Sequence, residues 1–173
     1  DKAASMERRQ LAKTGMLRSA HMLGNEEEII FTATDLLADT KLAPELSNEA
    51  HYYRAKAYLD AGKTDGAMED LKILAKDTRN VYGAEAKYKV AQIYFDGGQT
   101  DKAEQEVLNY IEVSTPHTYW LARSFVLLAD VYMKSGRNLD AKQYLLSLKQ
   151  NYQADDDIAG MIESRLEKLK TEN

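Results

Sequence analysis

Cysteine is missing from all 173 residues. That excludes disulfides, thiolate metal sites and cysteine nucleophiles. It leaves the compartment open, because a chain without thiols suits an oxidising or a reducing space equally. Proline occurs only at Pro44 and Pro116; with 44% hydrophobic and 29% charged residues, this favours a folded, helix-rich chain over a disordered one. No apolar run approaches the ~18 residues of a bilayer-spanning helix, so direct membrane insertion is not expected. Long single-sign charge blocks are also absent. The net charge of −5 and pI near 5.3 argue against nucleic acid as the main partner, since phosphate binding needs clustered Lys and Arg. No signal peptide is evident and Asp1 is not an initiator Met, so the chain reads as a mature fragment or a piece of something longer.

Motifs that carry chemistry are equally scarce. His21, His51 and His117 form no i, i+4 metal pair, and there is no HExxH. Asp155-Asp156-Asp157 lacks the ligand ladder and closing Glu of an EF-hand; helix-start chemistry explains it better. Gly97-Gly98 belongs to no GxGxxG or P-loop, and no GxSxG elbow occurs. The expectation is a non-enzyme with no cofactor and no metal.

What is present is a repeat. Gly24, Gly62, Gly98 and Gly136 stand 38, 36 and 38 residues apart. Tyr58, Tyr94 and Tyr132 precede the last three by four residues, with Ala20 in the first. Ala67, Ala103 and Ala141 follow by five, with Ile29 in the first. Ala12, Ala50, Ala86 and Ser124 stand twelve before the glycines; Leu17, Ala55, Ala91 and Ala129 seven before; Ala33, Leu71, Val107 and Leu145 nine after. Small residues let helix backbones approach where they cross, and larger ones fill the space where they diverge. A fixed period of this length marks stacked helix pairs, none of which buries its apolar face alone.

The spacing predicts nine helices. The first runs over 3–23, and Asn25 with Glu28 makes a capping box for the second. Pro44 suits the first turn of the third. Thr64, Thr100 and Asn138 are predicted N-caps of the fourth, sixth and eighth. Thr115 is read as N-cap and Pro116 as first residue of the seventh, and Asp155–Asp157 as the opening of the ninth. Repeats are placed at about 3–40, 44–78, 80–114 and 116–151, with a capping helix at about 155–170.

These features resemble the tetratricopeptide repeat, a helix–turn–helix unit of about 34 residues. The resemblance covers nearly the whole chain as one array. It implies an all-α, right-handed α-solenoid of four helix pairs plus a C-terminal capping helix. The first repeat departs most, with Leu17 and Ile29 where Ala is usual, and Arg54 sits where the family has an apolar residue. The longer periods resemble bacterial envelope-associated members more than compact chaperone-binding ones, which implies a periplasmic or envelope-associated place.

The resemblance also implies a non-catalytic protein–protein interaction scaffold that binds a peptide or protein segment in the concave groove of the first helices. Carried-over groove positions are Thr14, Arg18 and His21; Glu49, Tyr52, Lys56 and Leu59; Glu85, Tyr88, Gln92 and Phe95; Arg123, Val126, Asp130 and Met133. Of these, Arg18, Tyr52, Lys56, Tyr88, Gln92, Phe95, Arg123 and Asp130 are the candidate partner-binding set. Arg18, Lys56 and Arg123 would select acidic groups. Tyr52, Tyr88 and Phe95 would be anchors, with packing as the competing role; Tyr58, Tyr94 and Tyr132 are read as packing. No Lys-plus-Asn clamp for a chaperone tail is present. The alternative is the structural end of a longer solenoid, active in self-association, homo-oligomerisation or stacking on preceding repeats. Met6 and Leu11, with no earlier repeat to cover them, motivate it.

Overall fold

The computed structural model describes residues 2–171, with side chains from Ala4. The described residues form helices and no strand: α1 (Lys2–Leu23), α2 (Glu26–Leu37), α3 (Pro44–Asp60), α4 (Thr64–Leu74), α5 (Val81–Asp96), α6 (Thr100–Ile111), α7 (Thr118–Lys134), α8 (Asn138–Asn151) and α9 (Ile158–Thr171). They make up an all-α fold of the solenoid class, built from helix pairs. The chain divides into two compact units, Asp1–Lys76 and Asp77–Asn173. In the first, α2 packs on both α1 and α3, and α3 on α4; in the second, α7 packs on α5, α6, α8 and α9.

One turn recurs in every pair. Gly24, Gly62, Gly98 and Gly136 have φ between 65° and 74°, a region an L side chain rarely enters. The amide after each glycine donates to the carbonyl five residues back: Asn25 to Ala20, Lys63 to Tyr58, Gln99 to Tyr94 and Arg137 to Tyr132. The glycine amide itself donates to His21, Leu59, Phe95 and Met133 respectively. This is the Schellman closure of a helix C-terminus. The tyrosine rings lie against the start of the second helix: a Cβ on Gly66 would meet Tyr58 at 3.1 Å, Lys102 Nζ sits 5.4 Å over Tyr94, and the Arg137 guanidinium 4.0 Å over Tyr132.

The turn also corrects the expected caps. The residue after the glycine is itself the N-cap of the second helix, so Thr64, Thr100 and Asn138 fall one position inside. Lys63, Gln99 and Arg137 hold the cap position without a side-chain bond. Only the first pair has a capping side chain there, Asn25, which accepts from the Glu28 amide. Thr115 and Pro116 also lie outside α7, whose N-cap is His117. Instead, Thr115 Oγ1 donates to the Thr78 carbonyl at 2.8 Å and accepts from the His117 amide, while His117 Nε2 meets the Arg79 carbonyl at 3.0 Å. Those bonds tie the loop before α7 to the loop before α5. Asp155–Asp157 precede α9, and Asp156 accepts from the Ile158 amide.

The small-residue positions close the pairs. Leu17, Ala55, Ala91 and Ala129, and Ile29, Ala67, Ala103 and Ala141, are all buried. Ala50, Ala86 and Ser124 are buried too, but Ala12 is exposed. Each of the last three pairs also has a seam between positions eleven before and eight after its turn glycine. It holds His51 and Asp70, Lys87 and Glu106, then Phe125 and Tyr144. The first two are ion pairs at 2.7 and 3.0 Å; the third is a ring contact at 6.0 Å.

Candidate functional site

The side chains singled out from the sequence lie on the first helices of the pairs, and they divide by unit. On the first unit, α1 and α3 are joined by Arg18, whose Nε and Nη2 donate to the two carboxylate oxygens of Glu49 at 2.6 and 2.8 Å. The Glu49 side chain is almost buried, while that of Arg18 is half exposed. Beside it, His21 stacks on Tyr53 at 4.1 Å, Tyr52 tilts against Tyr53, and Lys56 Nζ stands 5.5 Å over the Tyr52 ring. Lys56 is exposed and Tyr52 half-buried.

A second charged group lies behind that face, between α3 and α4. Asp70 is 1% exposed and accepts from Arg54 Nε and Nη2 at 2.8 and 2.7 Å, and from His51 Nδ1 at 2.7 Å. Arg54 Nη1 reaches Thr34 on α2 at 2.9 Å. Burial alone would raise the Asp70 pKa; the hydrogen bonds from Arg54 and His51 outweigh it and hold the carboxyl below its usual value.

On the second unit, Tyr88 and Gln92 of α5 meet Arg123 of α7, while Phe95 and Asp130 lie further along the same two helices with other partners. Tyr88 is 5% exposed and part of the core, so its ring is not an open anchor. Thr14 and Val126, ten residues before their glycines, are buried too and Tyr52 only half so; for Tyr88 the physical reason is the neighbouring helix. Its ring packs 5.6 Å from Trp120 of α7, and its hydroxyl donates to Gln92 Oε1 at 2.7 Å. Gln92 in turn donates to Asp96. Phe95 is half-buried, with Lys134 Nζ 5.0 Å over its ring.

Arg123 is the centre of this face. Its guanidinium lies 5.2 Å from the Tyr88 ring and 5.7 Å from the Tyr119 ring. Nη1 donates to the Tyr119 hydroxyl at 2.8 Å and to Asp157 at 3.0 Å; Nη2 reaches the Tyr88 hydroxyl at 3.5 Å. Burial opposes its charge, and the two tyrosine hydroxyls more than offset that, raising its pKa above the ordinary value. Its Nε is buried without a partner. Next along α7, Asp130 accepts both arms of Arg165 from α9, each at 2.7 Å. Tyr152 borders the region: burial and its 2.6 Å bond to Asp156 push its phenol up to about 12.

Sequence reasoning missed Tyr119, Trp120, Asp157 and Arg165 as members of this face. The one tryptophan of the chain was the available signal, since large aromatics concentrate at packed contacts. The pairing of Arg18 and Asp130 with residues of the next first helix had no sequence signal of its own. It makes these charges struts between helices instead of open selectors.

Among the described residues, no group of three or more His, Asp or Glu could hold a metal ion, and no helix is long and apolar enough to cross a membrane. A cleft of about 230 Å³ lies between α8 and α9, lined by Tyr152, Ile158 and Ile162 with Lys149 and Glu163 at its edge. Lys149 and Glu163 pair there at 2.6 Å.

A family model for the tetratricopeptide repeat matches residues 49–77. No curated protein matches the chain in sequence. Among solved structures, it is similar to two crystal structures of putative kinesin light chain nearly identical TPR-like repeats from Podosopora anserina, one a glutamine-to-methionine variant. The variant aligns at 16% identity with TM-score 0.58, covering 94% of this chain and 93% of that one. The other aligns at 16% identity with TM-score 0.56, covering 94% of each. At that identity the likeness concerns the fold, which is that of repeated helix pairs. Residues 49–77 thus match the repeat model, and the glycine-closed turn at Gly62 within them recurs at Gly24, Gly98 and Gly136.

Proposed function

We propose that the chain is a non-catalytic protein-interaction scaffold, and that the α5–α7 face around Arg123 takes a peptide or protein segment carrying an acidic group. The observation behind this reading is the unequal cost of exchanging the two arginine pairs. Asp157, which neutralises Arg123, is 54% exposed at the side chain and lies just before α9. Such a half-solvated pair contributes only about 0–1 kcal/mol, so an incoming carboxylate can replace it. Glu49, opposite Arg18, has 11% side-chain exposure, and displacing it would strand a nearly buried charge. Arg123 is also preorganised: Tyr88 and Tyr119 fix its plane before any partner arrives. The Tyr119 and Trp120 rings beside it supply apolar contact. The mode is capture of an acidic group by a placed guanidinium.

The test is a library of acidic peptides read by fluorescence anisotropy. Asp157→Asn should tighten binding several-fold by releasing Arg123, and Arg123→Gln should remove the preference for acidic over amidated peptides. Unchanged binding in both variants, with the fold intact by circular dichroism, would defeat the reading.

A further inference from the structure

The charges around Arg123 do not balance. Both Nη1 hydrogens are taken, by the Tyr119 hydroxyl at 2.8 Å and by Asp157 Oδ2 at 3.0 Å, and Nε is buried. A carboxylate that takes Nη1 must therefore replace Asp157. Asp157 does not stand alone. Asp156 precedes it, accepts from the Tyr152 hydroxyl at 2.6 Å and caps the Ile158 amide at 2.9 Å. Tyr152 senses both carboxylates: burial, its bond to Asp156 and the charges of Asp156 and Asp157 together push its phenol up to about 12. The next pair along α7, Asp130 with Arg165, is neutral by itself and lends no cation. Two carboxylates thus already share the neighbourhood of one guanidinium. A partner that brought only an acid would make three, with Asp157 released beside it.

We propose that the partner segment is dipolar: it carries one acidic residue for Arg123 and, close to it in sequence, a lysine or arginine for the released Asp157 and for Asp156. This rests on the reading of Arg123 as the acid-binding group and narrows its partner. Binding is then an exchange of ion pairs, in which each charge paired in the free protein is paired again in the complex. Without the cation, Asp157, with about half of its side chain exposed, would return to water close to the incoming acid. Their repulsion would subtract from the attraction of Arg123. Runs of acid fail for the same reason, so the face discriminates against a polyacidic tail. The rings suit the cation's stem. Tyr119 and Tyr152 are half-buried, and the methylenes of a lysine or arginine lie on such rings while the charge stays wet.

Labelled peptides on one neutral backbone make the test, differing only at two neighbouring positions: Glu-Lys, Glu-Gln, Glu-Glu and Gln-Gln. Fluorescence anisotropy with the full chain at one fixed, low ionic strength reads each affinity. Glu-Lys should bind about two- to fivefold tighter than Glu-Gln, and Glu-Glu no tighter than Glu-Gln. Asp156→Asn combined with Asp157→Asn keeps an oxygen acceptor for the Ile158 amide. With its fold intact by circular dichroism, this variant should abolish the advantage of Glu-Lys over Glu-Gln. Glu-Gln or Glu-Glu binding as tightly as Glu-Lys, while Arg123→Gln still removes the preference for acid, overturns the dipolar partner and leaves the Arg123 reading standing. An advantage of Glu-Lys that survives the double asparagine variant places the cation elsewhere and also overturns it. Peptides all bound like Gln-Gln, with Arg123→Gln silent, defeat the Arg123 reading and this inference with it.

Discussion

The same seam is built from charge in the α3–α4 pair and from rings in the α7–α8 pair. In the α3–α4 pair, His51 faces Asp70, and Arg54, three residues on, closes over the same carboxylate. In the α7–α8 pair the equivalent positions hold Phe125, Tyr144 and Leu128, which need no partner beyond contact. The α5–α6 pair stands between, with the Lys87–Glu106 ion pair beside a buried Val90. Helix geometry is the same in all three, since each closes on a glycine turn. The backbone register thus dictates which two positions meet, and leaves open whether they are held by Coulomb attraction or by burial. The consequence is unequal tolerance. An apolar seam that loses a group leaves a cavity, while a buried ion pair that loses one member leaves a naked charge.

The largest effect that would break this contrast is Asp70→Ala. It leaves the Arg54 guanidinium and the His51 ring without their acceptor, and should cost about 3–5 kcal/mol. Hydrogen exchange should show the loss within Asp1–Lys76 and little change within Asp77–Asn173; equal loss in both would erase the distinction. Replacing both charges, Arg54→Leu with Asp70→Leu, should recover most of it, because matched apolar groups avoid the desolvation.

Acid offers a version of the same experiment without mutation. The Asp70 carboxyl is held below its ordinary value in the folded state. Its contribution is therefore complete above the unfolded carboxylate pKa of about 3.9 and disappears as pH falls through the lower folded value. Urea midpoints for the first unit should fall on acidification through that window in the parent chain, and the drop should be smaller in the doubly apolar variant. An identical pH response in both would remove Asp70 from the account.

A smaller effect is expected where the two units agree. Ala103 and Ala67 occupy the same crossing in their pairs, and both are fully buried. Ala103→Leu and Ala67→Leu should each lower stability by about 1–3 kcal/mol through overpacking. A neutral melting temperature for either would mean that its crossing is looser than its partner's. The smallest effect is a gain. Lys63 is an N-cap without a side-chain bond, and Lys63→Asp should add about 0.5–2 kcal/mol by supplying the acceptor that Asn25 already provides in the first pair. No rise in the denaturation midpoint would show that the Schellman turn prevents side-chain capping there.

The repeat was legible because backbone requirements leave few residue choices. Gly62, Gly98 and Gly136 need positive φ, and Ala55, Ala67, Ala91 and Ala103 stand where helices cross too closely for larger groups. Both constraints are local or periodic, and a linear text records them. The caps were read one residue late because the sequence displays Thr64, Thr100 and Asn138 but not the closure that makes the preceding residue serve both helices.

The candidate site was legible only in outline. The period gives the helix faces, and the structure brings Tyr88 and Gln92 against Arg123, while Asp130 meets Arg165. Whether Tyr88 would be open or covered depended on Trp120, 32 positions away and on another helix. Whether Arg18, Arg123 and Asp130 would be free depended on Glu49, Asp157 and Arg165, each supplied by a segment beyond the repeat that carries it. By itself, then, the sequence determined the helices, their turns and the pairing of neighbours, because those follow from φ, side-chain volume and the 3.6-residue period. Tertiary structure alone decided which charges are struts and which aromatic is core. Those are properties of what lies opposite a residue, and no periodicity within a helix contains that.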